Sequence, residues 1–190
     1  MHQRTTIAIV IGVLTTFLVV GAGITYHLYP SLFMGPDEAV IRTPDAPARL
    51  SVPSLRIDAS VEPVGRTPEG NMGSPTSFTG IAWFKEGAIP GQKGSAVVAG
   101  HLDNALGRAG VFKDLEALRI GDEVMIETAS GEVLRFRVLR TGVYPYDSPP
   151  EGLFTRSDGA YLNLITCTGE WLQEAKTYDG RLVVYTELVP

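Results

Sequence analysis

Short segments rich in β-branched and aromatic residues, each closed off by turn signals, follow one another from Arg49 to Leu188. The pattern predicts strands at Arg49–Val52, Ala59–Val64, Ile81–Phe84, Ser95–Gly100, Glu123–Thr128, Leu134–Tyr144, Tyr161–Thr166 and Arg181–Leu188. Within Val133–Arg140 apolar and basic residues alternate, the period of a strand with one wet face. Ser130-Gly131 supplies a hairpin turn before that segment, and Gly121-Asp122 punctuates the entry to the one preceding it. Eight strands in one modest domain are best satisfied by a closed or nearly closed barrel, because closure removes the exposed edges along which sheets aggregate. The fold class expected is therefore all-β, with one or two short helices. Val111, Leu115 and Leu118 are spaced for one of these.

The N-terminal part of the 190-residue chain follows other rules. From Ile7 to Leu28 no charged side chain interrupts a run of apolar and small residues. About 20 such residues, rising 1.5 Å each, cross a hydrocarbon layer of roughly 30 Å as a helix that satisfies its own backbone. Arg4 precedes the run, and no lysine or arginine follows it until Arg42. That asymmetry places residues 1–6 in the cytoplasm and the remainder outside. A cleaved signal peptide is the competing reading, with Gly21-Ala22-Gly23 as its small-residue site. Residues 29–48 carry Pro30, Pro36, Pro44 and Pro47 without an apolar period and read as a linker. The folded domain is expected over 49–190.

The formal net charge is −5, which excludes the basic face that a nucleic-acid binder needs. The chain has one cysteine, so no intramolecular disulfide forms, and a lone thiol facing an oxidising space is a liability unless it is buried or used. Of the three histidines, His2 and His27 lie in the N-terminal part, leaving His101 as the domain's own. A cysteine–histidine couple in the domain is therefore Cys167 with His101. Each closes an apolar segment, Ala96-Val97-Val98-Ala99-Gly100 before the histidine and Tyr161-Leu162-Asn163-Leu164-Ile165-Thr166 before the cysteine. Residues at strand ends are held rigidly yet open into loops. Such a couple raises the thiolate fraction, and the imidazole then protonates a leaving amine. The tetrahedral oxyanion needs a fixed cation, and Arg181, the sole arginine after Cys167, opens the last predicted strand.

Asp103, two residues past His101, invites a Cys-His-Asp arrangement or simply shapes a turn. Thr166 is either a substrate contact or a β-branched strand residue. One cysteine and one domain histidine fall short of the usual zinc ligand set, and Gly87-Ala88-Ile89-Pro90-Gly91 lacks the Lys-Ser/Thr of a phosphate loop. No metal or other cofactor is expected.

Ala99-Gly100-His101-Leu102-Asp103, Leu164-Ile165-Thr166-Cys167 and Arg181-Leu182-Val183-Val184-Tyr185 resemble, in order, the three catalytic motifs of the sortase family. Val52-Pro53-Ser54-Leu55-Arg56-Ile57-Asp58-Ala59 and Gly91–His101 extend the resemblance over most of the domain. Asn163 stands where the family's cysteine motif usually opens on threonine. The likeness is greatest to the compact class D, E or F members. It implies an eight-stranded barrel on the outer face of the plasma membrane, held by a single span. It implies cleavage of a Leu-Pro-any-Thr-Gly-like C-terminal sorting signal between Thr and Gly through a thioester on Cys167. It also implies transfer to an amine of a peptidoglycan precursor or a pilin lysine, so the partners are surface or pilin proteins bearing that signal. His101 becomes the acid/base and Arg181 the oxyanion or substrate positioner. The Pro-rich stretch from Tyr144 to Phe154, with Pro145 and Tyr146, becomes the loop that shapes the signal groove. A cysteine peptidase of the same fold, with water resolving the thioester, and a non-catalytic envelope scaffold are the other readings.

Overall fold

A computed structural model describes residues 45–104 and 106–190. The expected cytoplasmic segment 1–6, membrane span 7–28 and most of the linker lie outside the described residues.

The described chain forms eight strands: β1 Pro47–Val52, β2 Ile57–Val64, β3 Ile81–Phe84, β4 Gly94–Gly100, β5 Glu123–Thr128, β6 Val133–Pro145, β7 Ala160–Leu172 and β8 Thr177–Leu188. They close in the order β1-β2-β3-β4-β7-β8-β6-β5, with β5 pairing back onto β1. The pairs β2–β3 and β4–β7 are parallel, and the other six are antiparallel. The expected all-β barrel of eight strands is the fold observed.

Side chains on a strand alternate between faces, so one parity fills the barrel. Leu50, Val52, Ile81, Trp83, Ala96, Val98, Val124, Ile126, Phe136, Val138, Leu162, Leu164, Leu182 and Val184 make this interior. The opposite parity of β3, β4, β7 and β8 is also apolar. Phe84, Val97, Val183 and Tyr185 form a second cluster on the outside of the barrel, with Ile165 and Tyr144 against it, roofed by Leu153 and Phe154 of the β6–β7 connection. This explains why β4 and the first half of β7 read as mainly apolar segments without alternation, as strands buried on both faces do. The β5–β6 hairpin, wet on one side, alternates and turns at Gly131, whose φ of 87° suits glycine.

Three local expectations differ from the structure. β7 does not end at Thr166. It bulges after Thr168, where Gly169 takes φ 88°, and resumes pairing with Trp171 opposite Tyr178 and Leu172 opposite Thr177. Cys167 thus lies within a strand, and β8 starts four residues before Arg181. Val111, Leu115 and Leu118 fold as turns with a single 3-10 turn at Leu115–Ala117, which suffices to bury Phe112 and Leu115 in the barrel mouth. A second 3-10 turn, Pro53–Leu55, joins β1 to β2, and β1 begins two residues before the expected domain start, with Pro47 at the first position, where its missing N–H is tolerated.

Candidate active site

Cys167 on β7 stands directly across from Arg181 on β8 in the antiparallel register. Directly paired residues on neighbouring strands share a face, and the parity of both places them on the outer face with Ile165, Val183 and Tyr185. β4 flanks β7 on its other side, with Ala99 beside Ile165. Two steps further along this parallel register bring His101, just past the end of β4, level with Cys167. The thiol therefore lies between the strand that delivers the histidine and the strand that delivers the arginine.

Each of the three is fixed differently. Nε2 of His101 hydrogen-bonds the Pro75 carbonyl at 2.9 Å, and the imidazole packs on Phe78 with ring centroids 4.6 Å apart. A carbonyl only accepts, so Nε2 carries a proton in either charge state, and Nδ1 is the nitrogen that gains and loses one. The His101 backbone is held as well, its carbonyl accepting from the Phe112 N–H at 3.0 Å. Gly110 packs so closely here that a Cβ on it would overlap the His101 carbonyl.

The Arg181 guanidinium donates from Nη1 to the carbonyls of Tyr178 and Gly180, at 3.0 and 2.8 Å, and from Nη2 to Thr177 Oγ1 at 2.8 Å. Five N–H donors minus these three leaves the Nε–H and one Nη2–H without partners among the described residues. The Tyr146 ring stands 5.9 Å from the guanidinium carbon.

Burial pushes the Cys167 thiol above the ordinary thiol range; the Arg181 cation opposes this, and the Asp103 carboxylate adds to it. Burial thus disfavours the thiolate, and a neighbouring base that takes the thiol proton offsets this. Asp103 is not that neighbour's orienting partner. Its Oδ2 accepts from the Tyr178 hydroxyl at 2.7 Å, and that bond with the nearby charge raises the Tyr178 phenol. The third position beside the histidine is filled by the Pro75 carbonyl.

The remaining sequence-derived candidates divide between the two faces. Thr166 is 3% exposed and has the parity of Leu162 and Leu164, so it points into the barrel, away from the Cys167 face. Pro145 pairs with Gly180 and is exposed. Tyr146 is exposed beside Arg181, anchored by its N–H on the Asp179 carbonyl at 3.0 Å. Sequence reasoning passed over Pro75, Phe78, Thr177 and Tyr178. Pro75 and Tyr178 act on the site through a main-chain carbonyl and a long-range hydroxyl contact, neither of which leaves a motif.

Further along the same face, Asn163 donates from Nδ2 to Ser95 Oγ at 2.7 Å and to the Leu153 carbonyl at 3.0 Å, while the Ser95 hydroxyl donates to that carbonyl at 2.7 Å. This buried knot fastens the roof of the outer cluster to β4 and β7. Arg140 stacks 3.5 Å from the Tyr185 ring centroid and donates to the Tyr144 hydroxyl, to which Tyr185 also donates; burial first, then this bond, pushes the Tyr185 phenol up to about 12. Among the described residues no cluster of His, Cys, Asp and Glu gathers in a metal-binding arrangement.

The arrangement can form a thioester. A thiol, an imidazole with a defined proton acceptor and a guanidinium with two unpartnered N–H groups lie on or just past neighbouring strands, beside an apolar cluster. Comparison with known proteins agrees with this chemistry. The family model described as Sortase domain matches residues 50–189. Among solved structures, sortase A from Corynebacterium diphtheriae is similar at 22% identity and TM-score 0.60, over 76% of this chain and 61% of that one. Sortase C2 of Group B Streptococcus Pilus Island 1 is similar at 21% identity and TM-score 0.58, over 75% of this chain and 73% of that one. The sortase D5 transpeptidase of Clostridium perfringens is similar at 22% identity and TM-score 0.56, over 77% of this chain and 80% of that one. These neighbours span sortases A, C and D, so the barrel does not separate the classes. No curated protein matches the chain in sequence.

Proposed function

The chain belongs to the sortase family of cysteine transpeptidases, and from that premise we propose that Cys167, His101 and Arg181 carry out acyl transfer from a sorting signal to an amine. The observation that carries this reading is the placement of Cys167 opposite Arg181 and one strand away from the His101 position.

In the proposed cycle the Cys167 proton passes to Nδ1 of His101 as sulfur attacks the carbonyl carbon of the signal's threonine. The oxyanion meets the unpartnered N–H groups of Arg181, whose guanidinium is held by its bonds to Tyr178, Gly180 and Thr177. Collapse breaks the Thr–Gly peptide bond, and the imidazolium gives its proton to the departing glycine amine. The thioester on Cys167 is then attacked by an incoming amine, whose proton goes to His101. Collapse of the second tetrahedral species releases the new amide and the thiol. A Leu-Pro-any-Thr-Gly-like signal would reach Cys167 from the outer face, where Tyr146 stands exposed beside Arg181. The donor proteins are surface or pilin proteins, and the acceptor is a peptidoglycan precursor amine or a pilin lysine. The apolar run from Ile7 to Leu28, preceded by Arg4, supports a single-pass protein of the plasma membrane with the barrel outside.

The test is intact-mass spectrometry of the full chain in detergent with a panel of sorting-signal peptides. An adduct equal to the peptide up to its threonine, absent in Cys167→Ala, establishes the acyl-enzyme. A folded protein that forms no adduct with any peptide of the panel refutes the reading.

A further inference from the structure

The imidazole of His101 is held by an acceptor that is itself held. The carbonyl accepting from Nε2 belongs to buried Pro75, in the connection between β2 and β3. The next residue, Thr76, gives both its backbone N–H and its hydroxyl to the carboxylate of Glu62 on β2, with the hydroxyl 3.0 Å from each carboxylate oxygen. Glu62 is anchored in the sheet by its register with Ala82 of β3. A chain of contacts thus runs from a strand of the barrel, through Thr76 and the Pro75 carbonyl, to the imidazole. Among the described residues no carboxylate touches the His101 ring, and Asp103, the nearest in sequence, is taken by Tyr178.

We propose that Glu62 is a positioning residue for His101, fixing its Nε2–H tautomer by clamping Thr76 and so aiming the Pro75 carbonyl. The inference rests on the acid/base role given above to His101. A neutral imidazole without a directed acceptor divides its proton between the two nitrogens, and the share protonated on Nδ1 is unable to take the thiol proton. A carbonyl aimed at Nε2 removes that share and stabilises the imidazolium when it forms. In serine and cysteine hydrolases a carboxylate or amide side chain does this directly; here a main-chain oxygen does it, and the carboxylate acts one residue further back. Loop carbonyls are otherwise poor orienting groups, because connecting segments move more than strands. The charge-assisted hydrogen bonds from the Thr76 N–H and hydroxyl to Glu62 correct this.

The test compares Glu62→Ala and Glu62→Gln in the full chain. Glutamine keeps an acceptor for the Thr76 N–H and offers a donor to its hydroxyl, and alanine keeps neither. Nitrogen-15 NMR of histidine-labelled protein reads the tautomer without any substrate, and His101→Gln identifies the His101 signals among the three histidines. We expect the wild type and Glu62→Gln to show the Nε2–H form, and Glu62→Ala to show a mixture. In the transpeptidation assay kcat of Glu62→Ala should fall about 10- to 100-fold with KM unchanged, and Glu62→Gln should restore most of it. Equal melting temperatures for all three exclude unfolding as the cause. A Glu62→Ala protein that keeps the wild-type tautomer overturns the proposal, as does a Glu62→Gln protein as impaired as Glu62→Ala. Failure of the wild type to form an acyl adduct sinks the transpeptidase reading instead, while the tautomer comparison still decides the role of Glu62.

Discussion

The Tyr178 hydroxyl on β8 donates to Asp103 in the loop after β4, across 75 positions of sequence and 2.7 Å of space. This bond crosses the mouth of the site and ties the end of the β7–β8 hairpin to the segment that carries His101. It also holds a negative charge near Cys167, which raises the thiol. Asp103→Asn keeps an acceptor for Tyr178 and removes the charge. The midpoint of Cys167 alkylation against pH should move down, and labelling at neutral pH should speed up. Iodoacetamide kinetics on the full chain measure this, and a midpoint that stays or rises contradicts the assignment.

The opposite shift is expected at Arg181. Its cation pulls the thiol down, so Arg181→Gln should move the same midpoint up. Loss of the oxyanion donors should lower kcat by about 100- to 1,000-fold. Arg181→Lys should not rescue, since an ammonium lacks the planar fork that reaches Tyr178, Gly180 and Thr177 together. Thr177→Val removes one of these three anchors and should cost much less. Steady-state kinetics with a common peptide compare the three.

Gly110 sets a backbone limit. Its missing side chain lets the chain pass against the His101 carbonyl, with the Gly110 N–H bonded to the Leu102 carbonyl at 2.8 Å. In Gly110→Ala two main chains must separate, and the displacement falls on the acid/base residue itself. Activity should drop by more than the loss of melting temperature accounts for. A variant with unchanged kcat would show that His101 tolerates the shift.

The knot under the β6–β7 connection makes a stability prediction. Ser95 is the hub, donating to the Leu153 carbonyl and accepting from Asn163. Ser95→Ala should cost about 1 kcal/mol, read by urea unfolding. Asn163→Leu should cost less, because it also removes Asn163 Oδ1, which is buried without a partner. The reverse order would mean that the asparagine and not the serine holds the roof.

The barrel was legible where physical constraints act locally. The wet face of β6 produces alternation, and closure follows from the number of strands in a small domain. Pairing Cys167 with His101 needed only elimination, because the domain has no other cysteine or histidine. The ends of β7 and β8 were not legible: Thr168-Gly169-Glu170 has the composition of a turn, and only the register across to β8 shows that pairing resumes at Trp171. The helix suggested by Val111, Leu115 and Leu118 has the right spacing, but these side chains reach the barrel mouth from turns and one 3-10 turn. The sequence left the role of Asp103 open, because the partner it takes, Tyr178, is adjacent only in three dimensions. The acceptor that His101 does use, the Pro75 carbonyl, belongs to the main chain, which looks the same at every residue.

The parallel contact between β4 and β7 governs when this protein becomes reactive. The β7–β8 pairing that sets Cys167 opposite Arg181 joins the two arms of one hairpin. β4 and β7 are separated by the whole β5–β6 hairpin and its connections, so their pairing closes a long loop. Until that pairing is complete, the thiol and the imidazole belong to unconnected parts of the chain. A polypeptide still folding would carry its nucleophile in an unarmed form, and maturation of the barrel and onset of acylating power would be a single event.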